Sequence, residues 1–317
     1  MTMSNKPKLL VLVGPTAVGK TKMSIELAKT FNAEIISGDS MQVYRQMDIG
    51  TAKIKPEEMN GIPHHLIDIH EPDYPYSVAE FQENCRHLIE DIHARGKLPF
   101  IVGGTGLYVE SVCYNFQFSE VGSDEDFRKE QFDYADVHGP EKLHEKLRGI
   151  DPPSADRLHP NDVRRVIRAL EIYHMTGMRQ SDQLAAQKKE SPYDLFIVGL
   201  TMDRQMLYKR IEDRIDEMME EGLVQEVASL LDRGVGPGCI SMQGLGYKEI
   251  ASYLRGEVPL ETAVSELKRD TRRFAKRQLS WFRHMKDIHW VDMTDTANFS
   301  TSFAMIRDII AEKLNLK

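Results

Sequence analysis

Residues 8–13 read KLLVLV: after the first lysine every position is apolar, and the run stops at Gly14. An unbroken apolar run of this length has no polar face, which predicts a strand buried on both sides. A helix is predicted from about Lys20 to Phe31, then a second buried strand at AEIIS (33–37) and a third at HHLIDI (64–69). In SVAEFQENCRHLIEDIHARG (77–96), Val78, Phe81, Cys85, Leu88 and Ile92 recur at helical spacing. Ser77 is placed to cap this helix, with Glu80 three residues later, and Gly96 ends it. LPFIVGGTG (98–106) is another buried strand, running into Thr105 and a further helix. Strands alternating with helices predict an α/β fold: a P-loop-type parallel sheet flanked by helices on both faces.

The pattern then changes. Residues 119–190 carry no strand signal and are rich in charge, and DVRRVIRALEIYHMTG (162–177) reads as a helix closed by Gly177. Sheet character returns at DLFIVGLTM (194–202), and IHWVD (288–292) is a last strand candidate in a mostly helical remainder. The expected organisation is a catalytic core from residues 1–118 and 194–317, with an all-helical domain inserted at 119–193. No repeat or low-complexity segment interrupts it.

Composition narrows the classes. With 41% hydrophobic residues in 317, a sizeable core can form. No run of about 18 apolar residues exists, so no membrane span is expected. MTMSNKPK lacks the long apolar stretch of a signal peptide. Cys85, Cys113 and Cys239 match neither a zinc spacing nor a disulfide framework, which points to a reduced, cytoplasmic setting. Adjacent His64 and His65 would face opposite sides of a strand and do not form a metal pair.

The net charge of −8 argues against a general nucleic-acid binder, with one exception. Residues 268–286, KRDTRRFAKRQLSWFRHMK, hold eight basic residues against Asp270, a local +7 that leaves −15 on the rest. Such a split steers polyanions to one face. On helical periodicity Leu267, Phe274, Trp281 and Met285 form a buried stripe, with Arg269, Arg272, Arg273 and Lys276 pointing elsewhere.

GPTAVGKT (14–21) fits G-x-x-x-x-G-K-[ST] and lies between a predicted strand and a helix, the context the motif needs. Gly14 and Gly19 let backbone N–H groups close around phosphate oxygens, and the helix N-terminus adds its dipole. Lys20 supplies a point charge, and the Thr21 hydroxyl suits Mg²⁺. The loop reads a diphosphate and not a base, so it serves ATP hydrolysis, phosphoryl transfer or a diphosphate leaving group equally. Asp39, just past the second strand in SGDSMQVYRQMD (37–48), stands where open parallel sheets bind ligands. By position it reads equally as a general base or a turn aspartate. Gln42 has the donor and acceptor to read a base edge.

The chain resembles the bacterial tRNA dimethylallyltransferases, also called isopentenyl-diphosphate:tRNA transferases. The resemblance rests on GPTAVGKT (14–21), SGDSMQVYRQMDIGTAK (37–53), PHHLIDI (63–69), YSVAEF (76–81), VGGTGLY (102–108), HPNDVRRVIRALE (159–171), RIEDRIDEM (210–218), GLGYKE (244–249) and RRFAKRQLSWFR (272–283). It implies transfer of a dimethylallyl group from its diphosphate to N6 of the adenosine just 3′ of the anticodon. Asp39 would take the proton of the exocyclic amine, Thr105 would lie close to that adenosine, and Arg214 would hold the diphosphate. Gly14, Pro15, Thr16, Ala17, Val18, Gly19, Lys20 and Thr21 would cradle the diphosphate, with Mg²⁺ on Thr21. Contacts to the tRNA anticodon stem-loop would come from Asp39, Ser40, Met41 and Gln42, with Tyr44 beside the flipped base. Further contacts would come from Arg164, Arg165, Val166, Ile167 and Arg168, from Gln243, Gly244 and Lys248, and from Arg272, Arg273 and Lys276. A monomer is expected.

The chain departs from the family where QGLGYKE replaces a frequent Arg-Cys/Gln-x-Gly-Tyr-Arg pattern: Lys248 keeps the charge and loses the planar fork. It also carries no C-terminal zinc-finger pattern. Two other classes share the P-loop: a small-molecule kinase, which has no use for the basic helix, and an RNA-binding ATPase switch, which has none for Asp39 and Thr105.

Overall fold

The structure, a computed structural model, describes residues 6–118, 122–187 and 190–316. The chain divides into two compact units, one formed by Met1–Asn115 with Ser191–Lys317 and the other by Phe116–Glu190. The boundary expected at residue 119 lies outside the described residues.

The first unit begins with β1 (Lys8–Val13), α1 (Lys20–Phe31), β2 (Ala33–Ser37), β3 (His64–His65), α2 (Val78–Ala94), β4 (Leu98–Gly103) and α3 (Gly106–Cys113). β1, β2 and β4 are almost wholly buried, as their unbroken apolar runs require. α2 starts where expected, with the Ser77 hydroxyl accepting the Glu80 N–H at 3.2 Å. The third strand is shorter than HHLIDI suggests. Only His64 and His65 pair with β2, because Leu66 and Asp68 take left-handed backbone angles that leave the ladder.

The second unit is all-helical among its described residues: α4 (Glu125–His138), α5 (Pro140–Ile150), α6 (Pro152–Arg157), α7 (Val163–Thr176) and α8 (Gln180–Ala186). Its core includes Leu143, Leu147, Leu158, Val166, Ile167 and Leu170. Gly177, at φ +70°, closes α7. The buried Glu171 is neutralised by Arg128 at 2.9 Å and Arg168 at 2.6 Å.

The first unit resumes with β5 (Asp194–Thr201), α9 (Arg204–Glu221), α10 (Leu223–Asp232), α11 (Tyr247–Leu254), α12 (Leu260–His284), β6 (Ile288–Asp292) and α13 (Phe299–Lys313). The six strands form one sheet in the order β3-β2-β4-β1-β5-β6, and every pairing is parallel. From β1 the chain passes to β2, returns to β4 beside β1, and later crosses to β5 on the other side. The order reverses at β1, and in such sheets ligands bind at the carboxyl ends of strands around that point.

α12 corrects the expected stripe. Its buried residues are Ala263, Leu267, Ala275, Gln278 and Phe282, and Met285 just beyond it is buried too. Trp281 is 38% exposed and Phe274 only partly covered. The helix packs on α9, α11 and α3, so its buried face is wider than a single apolar stripe. No helix among the described residues is long and apolar enough to cross a membrane.

Candidate active site

Three loops leave the carboxyl ends of the neighbouring strands β2, β4 and β1. They carry Asp39, Thr105 and the phosphate-binding motif. Backbone bonds lock the first two together: Gly38 N–H donates to Val102 O at 2.8 Å, and Thr105 N–H to Gly38 O at 3.2 Å.

In the loop after β1, Gly14 has φ +152°, and a Cβ there would meet Leu200 O at 2.7 Å. The first turn of α1 has no acid and no side-chain cap, so its leading N–H groups stay available to an anion. Lys20 Nζ donates to Gly14 O at 2.9 Å and Pro15 O at 2.8 Å and has no carboxylate in contact among the described residues. Burial lowers its ammonium to about 7; the Arg214 guanidinium pushes the same way, and the Asp39 carboxylate opposes both. Thr21 is exposed on the first turn, and its hydroxyl has no hydrogen-bond partner among the described residues. Mg²⁺ keeps much of its water and takes one or two protein oxygens together with phosphate oxygens, so one threonine hydroxyl beside a diphosphate cradle fits it.

Arg214 is the least conventional feature. Three of the four acids around it in RIEDRIDEM are committed to other cations, Glu212 to Arg272, Asp213 to Lys209 at 2.9 Å and Asp216 to Lys268 at 2.6 Å, and the fourth, Glu217, is exposed and makes no ion pair among the described residues. Arg214, half-buried, has no ion pair or hydrogen bond among the described residues. Burial lowers its pKa, while the charges of Glu217 and Asp39 pull it back. A surface arginine would have taken one of its neighbours' carboxylates. This one stays open next to Lys20, an arrangement suited to a multiply charged anion.

Asp39 serves two readings at once. Its Oδ1 accepts Met41 N–H at 2.8 Å and, more weakly, Gln42 N–H at 3.4 Å, the bonds of an Asx turn. Its Oδ2 accepts none among the described residues. Thr105 begins α3, yet its hydroxyl makes no capping bond. It accepts Ser40 N–H at 3.1 Å instead and so holds the loop of Asp39.

Two expected base readers are otherwise occupied. Gln42 accepts from Ser37 Oγ at 3.1 Å and donates to Thr51 O at 3.2 Å, which bends the MDIGTAK run back on its own loop. Tyr44 is fully buried, with its hydroxyl on Tyr74 O at 3.0 Å, and has no face to offer a base. Lys53 is buried to join Tyr44 O, Asp48 and Asp68, at 2.8, 2.6 and 2.6 Å. The long signature after Asp39 is therefore largely a scaffold for its loop.

The family model described as IPP transferase matches residues 42–285. The tRNA dimethylallyltransferases of Geobacillus thermodenitrificans and of Bacillus cereus are 53% and 54% identical over 310 residues, covering 98% of this chain and of each relative. The chain belongs to the IPP transferase family. Among solved structures, the tRNA isopentenylpyrophosphate transferase of Bacillus halodurans is similar at TM-score 0.75 and 53% identity, over 98% of this chain and 97% of that one. A eukaryotic dimethylallyltransferase acting on tRNA is similar at TM-score 0.82 and 34% identity, covering 97% of this chain and 79% of its own. The family match begins after the P-loop and Asp39, but the relatives align across both.

In this IPP transferase the segments matched to tRNA contacts are unequal. Val166 and Ile167 are buried in the helical unit, and Arg168 is tied to Glu171 and to Gly122 O. The side chains turned outward in this stretch are Arg164 and Arg165, the latter 3.1 Å from Asp162. Gln243 is exposed with its amide on Pro237 O at 2.7 Å, Lys248 is exposed beside Glu249, and Gly244 is buried near Met41. On α12, Arg272 is held by Glu212 and Arg273 by Asp270, whereas Lys276 is exposed without an ion pair among the described residues. Arg277, Arg283 and Lys286 share that state, and sequence reasoning missed them. The signal was available: no acid lies within four residues of any of them except Asp287.

Proposed function

We propose that this chain transfers the dimethylallyl group of dimethylallyl diphosphate to N6 of the adenosine 3′-adjacent to the anticodon of certain tRNAs, releasing diphosphate. The observation that carries this reading is electrostatic. Among the described residues Lys20 and Arg214 lack carboxylate partners, and the one carboxylate whose charge reaches both is Asp39.

The chemistry follows from those charges. The N6 lone pair is delocalised into the adenine ring, so the amine is a weak nucleophile. Asp39 Oδ2 accepts its proton as the new C–N bond forms. The allylic C–O bond breaks, and its electron pair leaves on the diphosphate. Gly14 to Thr21, Lys20 and Arg214 take up the charge that develops there. Mg²⁺, when bound at Thr21, supplies further neutralisation of the diphosphate. The Thr105 hydroxyl holds Ser40 and thereby Asp39. The substrate base leaves a single-stranded loop, where extrusion costs least. Exposed Lys276, Arg277 and Arg283 suit the RNA backbone. The enzyme acts as a monomer in the cytoplasm on this reading.

The test is a transfer assay. The protein, Mg²⁺, labelled dimethylallyl diphosphate and tRNA from cells lacking the modification are mixed, with Asp39→Asn and an ATP-hydrolysis control alongside. Label should enter RNA with the wild type and not with Asp39→Asn. ATP turnover without label in RNA would replace this reading with a kinase or a switch.

A further inference from the structure

Gln278 is the one polar side chain on the buried face of α12, only 5% exposed. A buried amide needs partners on both ends. Its Oε1 accepts Thr16 N–H at 2.9 Å, inside the phosphate loop, and its Nε2 donates to Gly104 O at 2.9 Å, one residue before Thr105. The two partners leave adjacent strands, β1 and β4. One belongs to the diphosphate half of the site. The other leads through Thr105 Oγ1 to Ser40 N–H and the Asp39 loop.

The fit is close. A Cβ at Gly104 would lie 2.3 Å from Gln278 Nε2, so the amide rests directly on that turn. One helical turn on, Trp281 covers Gly106 and donates its indole N–H to Glu110 at 2.9 Å. The opposite side of the same helix carries Lys276, exposed and without an ion pair among the described residues.

We propose that Gln278 is a positioning residue that sets the diphosphate loop against the Asp39–Thr105 half of the site, fixing the distance between leaving group and base from the helix that receives tRNA. This rests on the transferase reading above. Transfer needs the amine, the allylic carbon and the leaving oxygen aligned, and a misplacement of about 1 Å costs on the order of 100-fold in rate.

The experiment compares wild type with Gln278→Met, which keeps the volume without the amide, and Gln278→Glu, which keeps an acceptor for Thr16 and sets a carboxylate oxygen against Gly104 O. Gly104→Ala presses a methyl on the amide and leaves Gln278 in place. Single-turnover transfer at saturating substrates should fall roughly 10- to 100-fold in all three, while Kd for an anticodon stem-loop stays within about twofold of wild type. Hydrogen exchange of the Thr16 amide should speed up in Gln278→Met. An unchanged single-turnover rate in folded Gln278→Met overturns the proposal, as does a defect confined to stem-loop binding, which would make Gln278 an RNA contact. If Gln278→Met does not fold, a wild-type rate in Gly104→Ala overturns it. A wild type that transfers nothing overturns the transferase reading instead, and Thr16 amide exchange still tests the tie.

Discussion

The Tyr247 hydroxyl donates to Glu226 at 2.6 Å, and the same carboxylate accepts the N–H groups of Asp48, Ile49 and Gly50 at 3.0, 2.8 and 3.1 Å. Tyr247 lies in the QGLGYK segment and residues 48–50 in the MDIGTAK run. One carboxylate on α10 thus binds two family signatures to each other. A Cβ at Gly50 would lie 2.6 Å from the Tyr247 ring, so glycine is required for that approach.

Removing the carboxylate leaves three backbone donors and a phenol without an acceptor. Asp48 is exposed and Ile49 and Gly50 only partly buried, so water takes up part of the loss; at about 1–3 kcal/mol for a buried unsatisfied group, Glu226→Ala should destabilise by about 1–3 kcal/mol and Tyr247→Phe by about 1 kcal/mol. Urea unfolding of both variants measures this. Equal small losses would mean that water replaces the carboxylate.

Asp39→Asn keeps an oxygen to accept Met41 N–H, so the loop should hold its shape. Loss of the proton acceptor should slow transfer by about 10²–10⁴-fold with stem-loop affinity little changed. Rapid-quench kinetics beside a binding titration separate the two. A wild-type rate would remove Asp39 from proton transfer.

Arg214→Gln should lose function and not stability. It has no ion pair to break among the described residues, and its charge is a repulsive neighbour of Lys20. Inhibition by inorganic diphosphate should weaken by roughly 10- to 100-fold, as expected for a charge-assisted bond of about 1.5–3 kcal/mol. Thermal unfolding should be unchanged or slightly higher. A large drop in Tm with unchanged inhibition would reassign Arg214 to structure.

On α12 the unpaired cations should dominate RNA binding. Lys276→Ala and Arg277→Ala should each reduce the slope of log K against log salt by about 0.7–0.9, the value for one phosphate contact. Arg273→Ala, paired with Asp270, should change it less. Fluorescence titrations of a stem-loop at several salt concentrations give the slopes, and the reverse ranking would refute the assignment.

Glu34, fully buried on β2, governs an acid limb of stability. Burial alone would raise its carboxyl; hydrogen bonds from Lys97, His65 and Arg95 outweigh this and hold it at about 2, against 4.5 ordinarily. Between those values the unfolded chain binds more protons than the native one, so stability is present above pH 4.5 and lost as pH falls toward 2. Glu34→Gln should be less stable at neutral pH and flatter across that window. Urea midpoints at stepped pH would show whether the two curves converge in acid.

Much of the fold was legible because it is specified locally. Apolar runs at 8–13, 33–37, 98–103 and 194–201 bury as strands whatever surrounds them, and the Ser77 cap and Gly177 terminus need only their neighbours in sequence. The phosphate loop was legible for the same reason: its glycines, lysine and helix start lie within eight residues. Family motifs then marked Asp39, Thr105 and Arg214.

What each side chain does with its charge or face depended on partners distant in sequence. Glu212 reaches Arg272 across 60 residues, leaving Arg214 open; Gln278 finds Thr16 across 262 and Gly104 across 174. Helical periodicity turned Trp281 inward because it assumes one apolar stripe, but α12 meets three helices and buries a glutamine. Sequence by itself determined the strands and the phosphate loop, since these follow from local spacing and hydropathy, while the chemistry expected of the site came from its resemblance to a family. Tertiary structure alone decided which cations remain unpaired and which amide joins the two halves, since those outcomes depend on which groups meet after the chain has folded.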